Sequence, residues 1–468
     1  MKPYYTQTAA RCASLCILLL SFDSLKAQDK SKYSLKDLID SARNHLPLLL
    51  QKQALINSAK AGITDARHSF LPKLNIGDEL SLSSANDLTG TYLPVDGIVH
   101  ATSGSIRANN DDRAQTGNIA SAYATYDLVN FGLRGAKLDN AIAYANLQQA
   151  DFDKTYYILK LQVGKLYFNV IKNVYQLQID AQNIHRYQAV ITIIDALTGS
   201  GIKPGVDSSM AQAELSKVRV SYNQHEGTIK QLQQQLSFLT GIQTPQIDID
   251  TLKKEDEIRE ANLLSQMTDT LSNPLLNYFS QQHALYQSTE KLVRKSYLPK
   301  IVLAGGGWER GSSIQYNDNY RPLTTGLGYQ RFNYAAGVAV TYDLFNLVHR
   351  KDKVAVSHYQ TQAAGYELEQ QKQELNSANA QATEMITAAA KNLHELPIQL
   401  QAADAVYQQK LAQYKAGVIN LIDLTNASFL LYSAQLNYVE TLNDWYLANL
   451  DKAASTGNLD LFIQTIKR

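Results

Sequence analysis

The stretch Tyr414 to Ala427, YKAGVINLIDLTNA, follows a long run rich in Gln, Ala and Leu, breaks at Gly417 and restarts at Asp423. An earlier stretch, Gly201 to Ala211 (GIKPGVDSSMA), repeats the spacing: Gly201, Asp207 and Ala211 each stand 216 residues before Gly417, Asp423 and Ala427. A glycine that ends one helix in the left-handed conformation, followed by a residue able to start another, reads as the turn of a helical hairpin. Two such turns at one offset make the chain two copies of a single unit, each turning round at its break.

The runs leading into the breaks support this reading. Arg134 to Thr198 is helical throughout and reaches on the order of 100 Å at about 1.5 Å per residue. In the second copy apolar residues fall on sevens, at Leu368, Leu375, Ala382, Ala389, Leu396 and Ala403, interleaved with Ile386, Leu393, Leu400, Tyr407 and Tyr414. In the first copy Phe152, Tyr156, Leu159, Val163, Leu166 and Val170 keep the three-four rhythm, which slips by one residue to Val174, Leu177, Ala181 and Ile184. Sustained heptads of this kind predict coiled-coil packing. Pro397 is expected to kink the second run unless its neighbours absorb it. Shorter helices then return over Asp207–Leu239 and Asp423–Ser455, and both end at Thr-Gly, Thr240-Gly241 and Thr456-Gly457.

Upstream, each copy opens with a helix that must stop at a Leu-Pro pair, since the residue before proline is pushed towards extended geometry. Ser34 to Ser69, with Ser34 as cap, Leu35, Leu38, Ile39 and Ala42 on one face and an interruption at Pro47, ends at Leu71-Pro72. Ala261 to Ser296, interrupted at Pro274, ends at Leu298-Pro299. An extended segment follows each. Leu74, Ile76, Leu80 and Leu82 alternate with Asn75, Gly77, Glu79 and Ser81, and Asp78 on the apolar side suggests either a bulge or an early rim. The second copy has IVLAGGGWER at Ile301–Arg310. After polar, Gly-rich stretches at 84–115 and 311–330 that read as long loops, a second strand returns in each copy. Ala122, Ala124, Tyr126 and Leu128 share a face, as do Val338, Val340, Tyr342 and Leu344; Thr125 and Asp127 lie opposite, as do Thr341 and Asp343. One apolar and one polar face on a strand–loop–strand unit is the pattern of a membrane β-barrel hairpin. Four strands are too few to close a barrel, so the count implies oligomerisation.

The N-terminus reads as a secretory signal: Lys2 and Arg11, an apolar core at Cys12–Phe22 and a cleavage site at Leu25-Lys26-Ala27. Its removal leaves 41 basic and 42 acidic residues of the chain's 44 and 43, and no cysteine, which excludes disulfides and thiolate metal sites. Near-neutral charge disfavours nucleic acid as a partner. Tyrosine is abundant, 28 against 11 Phe and 2 Trp, as suits surfaces that are greasy at one end and wet at the other. Phe70, Tyr297, Tyr126, Tyr342, Phe131, Phe345 and Trp308 gather at strand ends, either as an aromatic girdle or as packing. His394-Glu395 lacks the second histidine of a zinc protease motif, and Gly305 to Gly307 lack the lysine of a phosphate loop, so no enzyme, cofactor or metal is expected.

Helix, Leu-Pro, hairpin, long helix, G-x5-D-x3-A turn, returning helix and Thr-Gly, all twice over behind a signal peptide, resemble the TolC-type outer-membrane efflux proteins across essentially the whole mature chain. The resemblance implies an α+β membrane protein: a homotrimer with a 12-stranded outer-membrane barrel, four strands per protomer, on an α-helical periplasmic barrel. It implies a signal peptide at 1–27, a first repeat at 28–241, an equatorial connector at 242–260 with a short strand at Ile247–Ile249, a second repeat at 261–457 and an equatorial tail at 458–468. The implied function is a passive channel-tunnel of a tripartite efflux or type I secretion system in a Gram-negative-type cell. Its partners would be a periplasmic adaptor (membrane fusion) protein and an inner-membrane pump of RND or ABC type, and its cargo small molecules or proteins. The alternative is a periplasmic coiled-coil adaptor, which would lack the two lipid-facing hairpins. In the family the second turn forms the periplasmic mouth, held by a tyrosine, an arginine and two aspartates. Tyr414, Gly417 and Asp423 match; Ile419 stands at the arginine position and Asn426 at the second aspartate. Asp207 and Asp423 read equally as helix N-caps. Pro72 and Pro299 read as helix-to-strand switches, and Asp127 and Asp343 either line the pore or cap the strand–helix junctions.

Overall fold

The computed structural model describes residues 32–84, 86, 109–199, 205–243, 246–247, 272–315 and 318–466. The signal peptide, Gly201, most of the connector and residues 261–271 lie outside this set. The elements in chain order are β1 (Lys32–Tyr33), α1 (Leu35–His45), α2 (Pro47–His68), β2 (Lys73–Ser83), β3 (Gln115–Val129), α3 (Leu133–Gly199), α4 (Val206–Thr240) and β4 (Gln246–Ile247). Then follow α5 (Pro274–Ser296), β5 (Lys300–Ser312), β6 (Ile314–Gln315), β7 (Asn319–Tyr320), a short 3-10 helix (Leu323–Leu327), β8 (Arg331–Thr341), α6 (Asn346–Lys415), α7 (Leu421–Ser455) and α8 (Leu459–Ile466).

Two compact units result, and each takes pieces of both sequence copies. The first comprises Met1–Leu55, Gln149–Ser280 and Glu367–Arg468; the second Ile56–Gln148 and Gln281–Tyr366.

The first unit is helical. Ser34 and Asp37 form a reciprocal capping box at the start of α1, with Asp37 N–H donating to Ser34 Oγ (3.3 Å) and Ser34 N–H to Asp37 Oδ2 (3.1 Å). Leu35, Leu38, Ile39 and Ala42 are buried, as their spacing predicts. Pro47 occupies the first position of α2, where its missing N–H costs nothing. On α6 most of the sevenfold pattern is met: Leu375, Ala382, Ala389, Leu396 and Ala403 are buried, as are Leu393, Tyr407 and Tyr414, while Leu368, Ile386 and Leu400 are half-buried. The helix is continuous through Pro397.

On α3 the outcome differs from a two-sided seam. Leu159, Val163 and Val170 are buried, but so are Tyr157, Tyr167, Phe168 and Ile171, which the three-four pattern leaves outside it. The reason is a neighbour that the helical rhythm of α3 cannot announce. The C-terminal α8 docks here with Phe462 6.2 Å from Phe168, while Tyr446 of α7 stacks on Phe168 at 5.0 Å. Lys160, almost wholly buried, reaches Asp460 of α8 at 2.6 Å. Both Thr-Gly pairs close their helices alike: Gly241 and Gly457 take φ of 73° and 81°, and the Thr240 and Thr456 hydroxyls donate to Leu236 and Lys452 carbonyls. The β1–β4 pair is parallel, joining Tyr33 to Ile247.

The second unit carries a four-stranded antiparallel sheet in the order β2-β3-β5-β8. Its register sorts the side chains. One face presents Leu74, Ile76, Leu80 and Leu82 of β2, Ala122 and Ala124 of β3, Leu303 of β5 and Val338 and Val340 of β8. The other presents Asn75, Glu79, Ser121, Thr125, Asp127, Arg310 and Asn333, together with Ile119, Tyr123, Val302 and Trp308, while Asp78, Asn118 and Glu309 fall on the first face. The large apolar residues of the first face are exposed, as a lipid-facing surface requires.

Three expectations are corrected here. No bulge forms at Asp78: the β2–β3 register passes through Asp78↔Ala120 unbroken, and the carboxylate instead accepts the Tyr329 hydroxyl at 2.9 Å. The irregularity lies in β3–β5 between Asp127 and Val129. The 311–330 segment is no plain loop, since β5 extends to Ser312, β6 pairs with β7, and the 3-10 helix anchors on β3 through Asn118 Nδ2 to the Leu327 carbonyl (3.0 Å). Finally, β8 stops at Thr341, so Tyr342 and Leu344 lie beyond it, whereas β3 runs through Tyr126 and Leu128. β3 is paired on both sides, while among the described residues β8 has only β5 for a neighbour, whose first residue Lys300 pairs with Thr341.

Candidate functional site: the hairpin tips and the strand–helix junctions

Within the first unit the ends of α3 and α6 and the starts of α4 and α7 share one apolar cluster, with Val190 and Ile194, Tyr407 and Tyr414, Ala211, and Leu421 and Leu424 at its centre. Ile419 packs on its edge. Where the resemblance implies an arginine, an aliphatic side chain therefore extends the packing.

The α6–α7 turn is built on a Schellman motif. Gly417 has φ of 74°, its N–H donates to the Tyr414 carbonyl (2.9 Å), and the Val418 N–H donates to the Gln413 carbonyl (3.0 Å). No atom lies within 4 Å of where a Cβ would stand on Gly417, so backbone conformation alone selects glycine.

Neither aspartate is an N-cap. Asn420 caps α7, its side chain accepting the Asp423 N–H at 2.9 Å, and Asp423 sits in the first turn. Gly205 precedes α4 without any side-chain cap, and Asp207 sits in that helix's first turn. Both carboxylates are left for other uses, in the half-turn where the helix dipole favours negative charge. Asp207 accepts the Tyr414 hydroxyl at 3.1 Å, so the tyrosine of the second turn is tied to the aspartate of the first. Tyr414 is 0 % exposed. Burial first, and the Asp207 carboxylate second, push its hydroxyl up to about 12, so it remains a donor at any physiological pH. Asp423 is half-buried and Asn426 exposed three residues on, both on the outward face of α7.

A second polar link was not legible in the sequence. Asp180 of α3, its side chain 0 % exposed, accepts the Tyr432 hydroxyl of α7 at 2.7 Å and lies 2.6 Å from His225 Nδ1 of α4. Ser221 adds a hydroxyl 3.1 Å from Tyr432 Oη. Burial, with the Asp180 carboxylate adding to it and the Ser221 bond opposing, pushes Tyr432 up to about 12. The partners come from three helices, so no local spacing brings them together.

In the second unit Pro72 and Pro299 stand immediately before β2 and β5, just after α2 and α5 end. Asp343 caps the turn into α6, its Oδ1 accepting the Phe345 N–H at 2.9 Å. At the equivalent turn into α3 that task falls to Asn130, whose Oδ1 accepts the Arg134 N–H at 3.4 Å, with Phe131 and Gly132 at φ of 46° and 90°. Asp127 lies on the polar face of β3 beside the register shift.

Among the described residues no group of His, Cys, Asp or Glu is arranged to hold a metal ion, and no helix is long and apolar enough to cross a membrane. A family profile described as outer membrane efflux protein matches residues 38–242 and 270–458, one segment per copy. No curated protein sequence matches the chain significantly. Among solved structures, the outer-membrane channel OprN shares the fold at a TM-score of 0.71 and 15% identity, over 92% of this chain and 94% of its own. The outer membrane protein VceC from Vibrio cholerae gives a TM-score of 0.73 at 13% identity, over 90% and 96%. The open state of the MtrE outer membrane channel of Neisseria gonorrhoeae gives 0.67 at 17% identity, over 91% and 89%. The profile covers most of the chain, and the chain belongs to the outer membrane efflux protein family, as an efflux channel protein of the outer membrane.

Proposed function

We propose that three copies of this chain close one conduit, each giving its four strands to a 12-stranded barrel and its helical hairpins to a tunnel that passes substrates outward without chemistry. The observation that carries this reading is the sheet itself: one face mainly apolar and exposed, the other mainly polar, with β2 and β8 unpaired along their outer edges among the described residues. An open sheet with free edges is a pairing hazard in isolation, and a closed ring removes it. Energy would come from an inner-membrane pump through a periplasmic adaptor docked at the hairpin tips. Asp423, one per protomer, would set charge at the mouth, and the Tyr414–Asp207 bond would hold the two turns of a protomer together.

The chain's only cysteines, Cys12 and Cys16, precede the expected cleavage site, which makes a clean test available. Cysteine pairs placed along β2 and β8 should cross-link outer-membrane-embedded protein into a covalent trimer that conducts in planar bilayers. Recovery as a soluble, non-conducting monomer would sink the proposal.

A further inference from the structure

The four junctions between helices and strands are far more basic than the rest of the chain. Residues 65–73, 127–139, 290–300 and 343–353 together hold eleven Lys and Arg against six Asp and Glu, a surplus of five in a chain whose net charge is +1. The acidic groups are partly spoken for: Asp139 pairs with Lys291 at 2.7 Å, Glu290 with Arg294 at 2.6 Å, and Asp343 serves the Phe345 N–H. In the first copy Arg67, Lys73 and Arg134 form no ion pair with a described residue. In the second the same holds for Lys295, Lys300, Arg350, Lys351 and Lys353.

These groups share one end of the sheet. Lys73 pairs in register with Thr125, and Lys300 with Thr341. Lys137 at the start of α3 donates to Ser69 just past the end of α2 (2.8 Å), and a Cβ on Gly132 would lie 3.8 Å from Lys295 Nζ. Helix stability does not account for them all. Cations suit the last turns of α2 and α5, but Arg134, Arg350 and Lys351 stand at the starts of α3 and α6, which carry no acidic residue in their first turns. Lys73 and Lys300 begin β2 and β5, and in chain order exposed Leu71, Phe131, Leu344, Phe345, Leu347 and Val348 stand between the strands and Arg67, Arg134, Arg350, Lys351 and Lys353. An apolar and aromatic rim with long cationic side chains just beyond it matches the order of acyl chains and phosphates at a bilayer surface.

We propose that these junctions form a docking belt for the anionic phospholipid headgroups of the leaflet at this end of the sheet. The proposal rests on the membrane-spanning reading above. A soluble acidic protein would satisfy the charge but not the exposed apolar residues that adjoin the strand ends in the chain.

The test titrates the purified full chain in detergent with phosphatidylglycerol or phosphatidylcholine and reads bound lipid by native mass spectrometry. Phosphatidylglycerol should be held at least about tenfold more tightly, a preference abolished in about 1 M salt, where the screening length falls to about 3 Å. The variant Arg350→Gln/Lys351→Gln/Lys353→Gln should lose about fivefold per cation, equivalent to about 1 kcal/mol each, with phosphatidylcholine retention unchanged. Equal retention of both lipids by the unaltered chain overturns the proposal, as does a preference indifferent to salt or to the substitutions. Displacement of the lipid by equimolar inorganic phosphate also overturns it, by indicating an ion site. Conductance in pure phosphatidylcholine bilayers separates the two readings. A chain that conducts there yet shows no lipid preference refutes the belt alone, whereas one that enters no bilayer refutes both.

Discussion

Replacing Tyr414 by Phe tests the link between the two turns with little collateral damage. The ring is fully enclosed in the tip cluster, and phenylalanine fills the same space, so the change removes the hydroxyl and with it the 3.1 Å bond to Asp207. A hydrogen bond to a charged acceptor is worth about 1.5–3 kcal/mol. Asp207 is half-exposed and water replaces the lost donor, which lowers the expected effect to about 1–2 kcal/mol. That corresponds to about a 5- to 30-fold rise in the opening of the tip. The assay is hydrogen exchange at the amides of the first turn of α4 and the last turn of α6, in Tyr414→Phe, Asp207→Ala and the double variant. Asp207→Ala also removes a favourable charge from the first turn of α4, which the cycle subtracts. A coupling of about 1–2 kcal/mol is expected, and one below about 0.3–0.5 kcal/mol would refute the bond as a tie between the hairpins. The pH dependence follows with a fixed sign. The free hydroxyl titrates near 10 and the folded one near 12, so the contribution is complete below pH 10 and is lost as pH rises through 12. Across neutral pH the tyrosine's share of the link should be unchanged.

Two further outcomes separate backbone roles from charge roles at the same turn. Asp423→Ala should lower blockade of single channels by multivalent cations while costing well under about 1 kcal/mol of stability, because Asn420 and not Asp423 caps α7; Asn420→Ala should cost about 1 kcal/mol in thermal unfolding. Unchanged blockade in Asp423→Ala would remove that residue from the mouth. Gly417→Ala should cost about 1–2 kcal/mol, since its positive φ is the only obstacle, whereas Gly241→Ala should cost more because its Cβ would also run into the His45 ring. Equal losses in the two variants would contradict the packing at Gly241.

The repeat offset, the positions of Pro47, Pro72, Pro274 and Pro299, and the two glycine turns are local facts, and local chemistry was enough to read them. Proline bars a backbone conformation, glycine permits one, and period fixes which face is apolar. For the same reason most of the α6 heptad positions are buried and the β2 alternation is kept. What the sequence misassigned were matters of competition between neighbours. Asp423 looked like a cap because a glycine preceded it, yet Asn420, three residues closer to Gly417, takes that place. Asp78 looked like a defect because nothing nearby in sequence satisfies a carboxylate on an apolar face, and its partner Tyr329 is 251 residues away.

By itself, then, the chain determined its duplicated order of helices, hairpins and turns, and the residue types that can stand at each break. The tertiary structure alone decided which polar groups meet: Tyr414 with Asp207, Asp180 with Tyr432 and His225, and the cations of four junctions at one end of one sheet. Conformational preference acts over a few residues and is written into their order. Hydrogen bonds and charge act through space, between residues that only folding brings within a few ångströms.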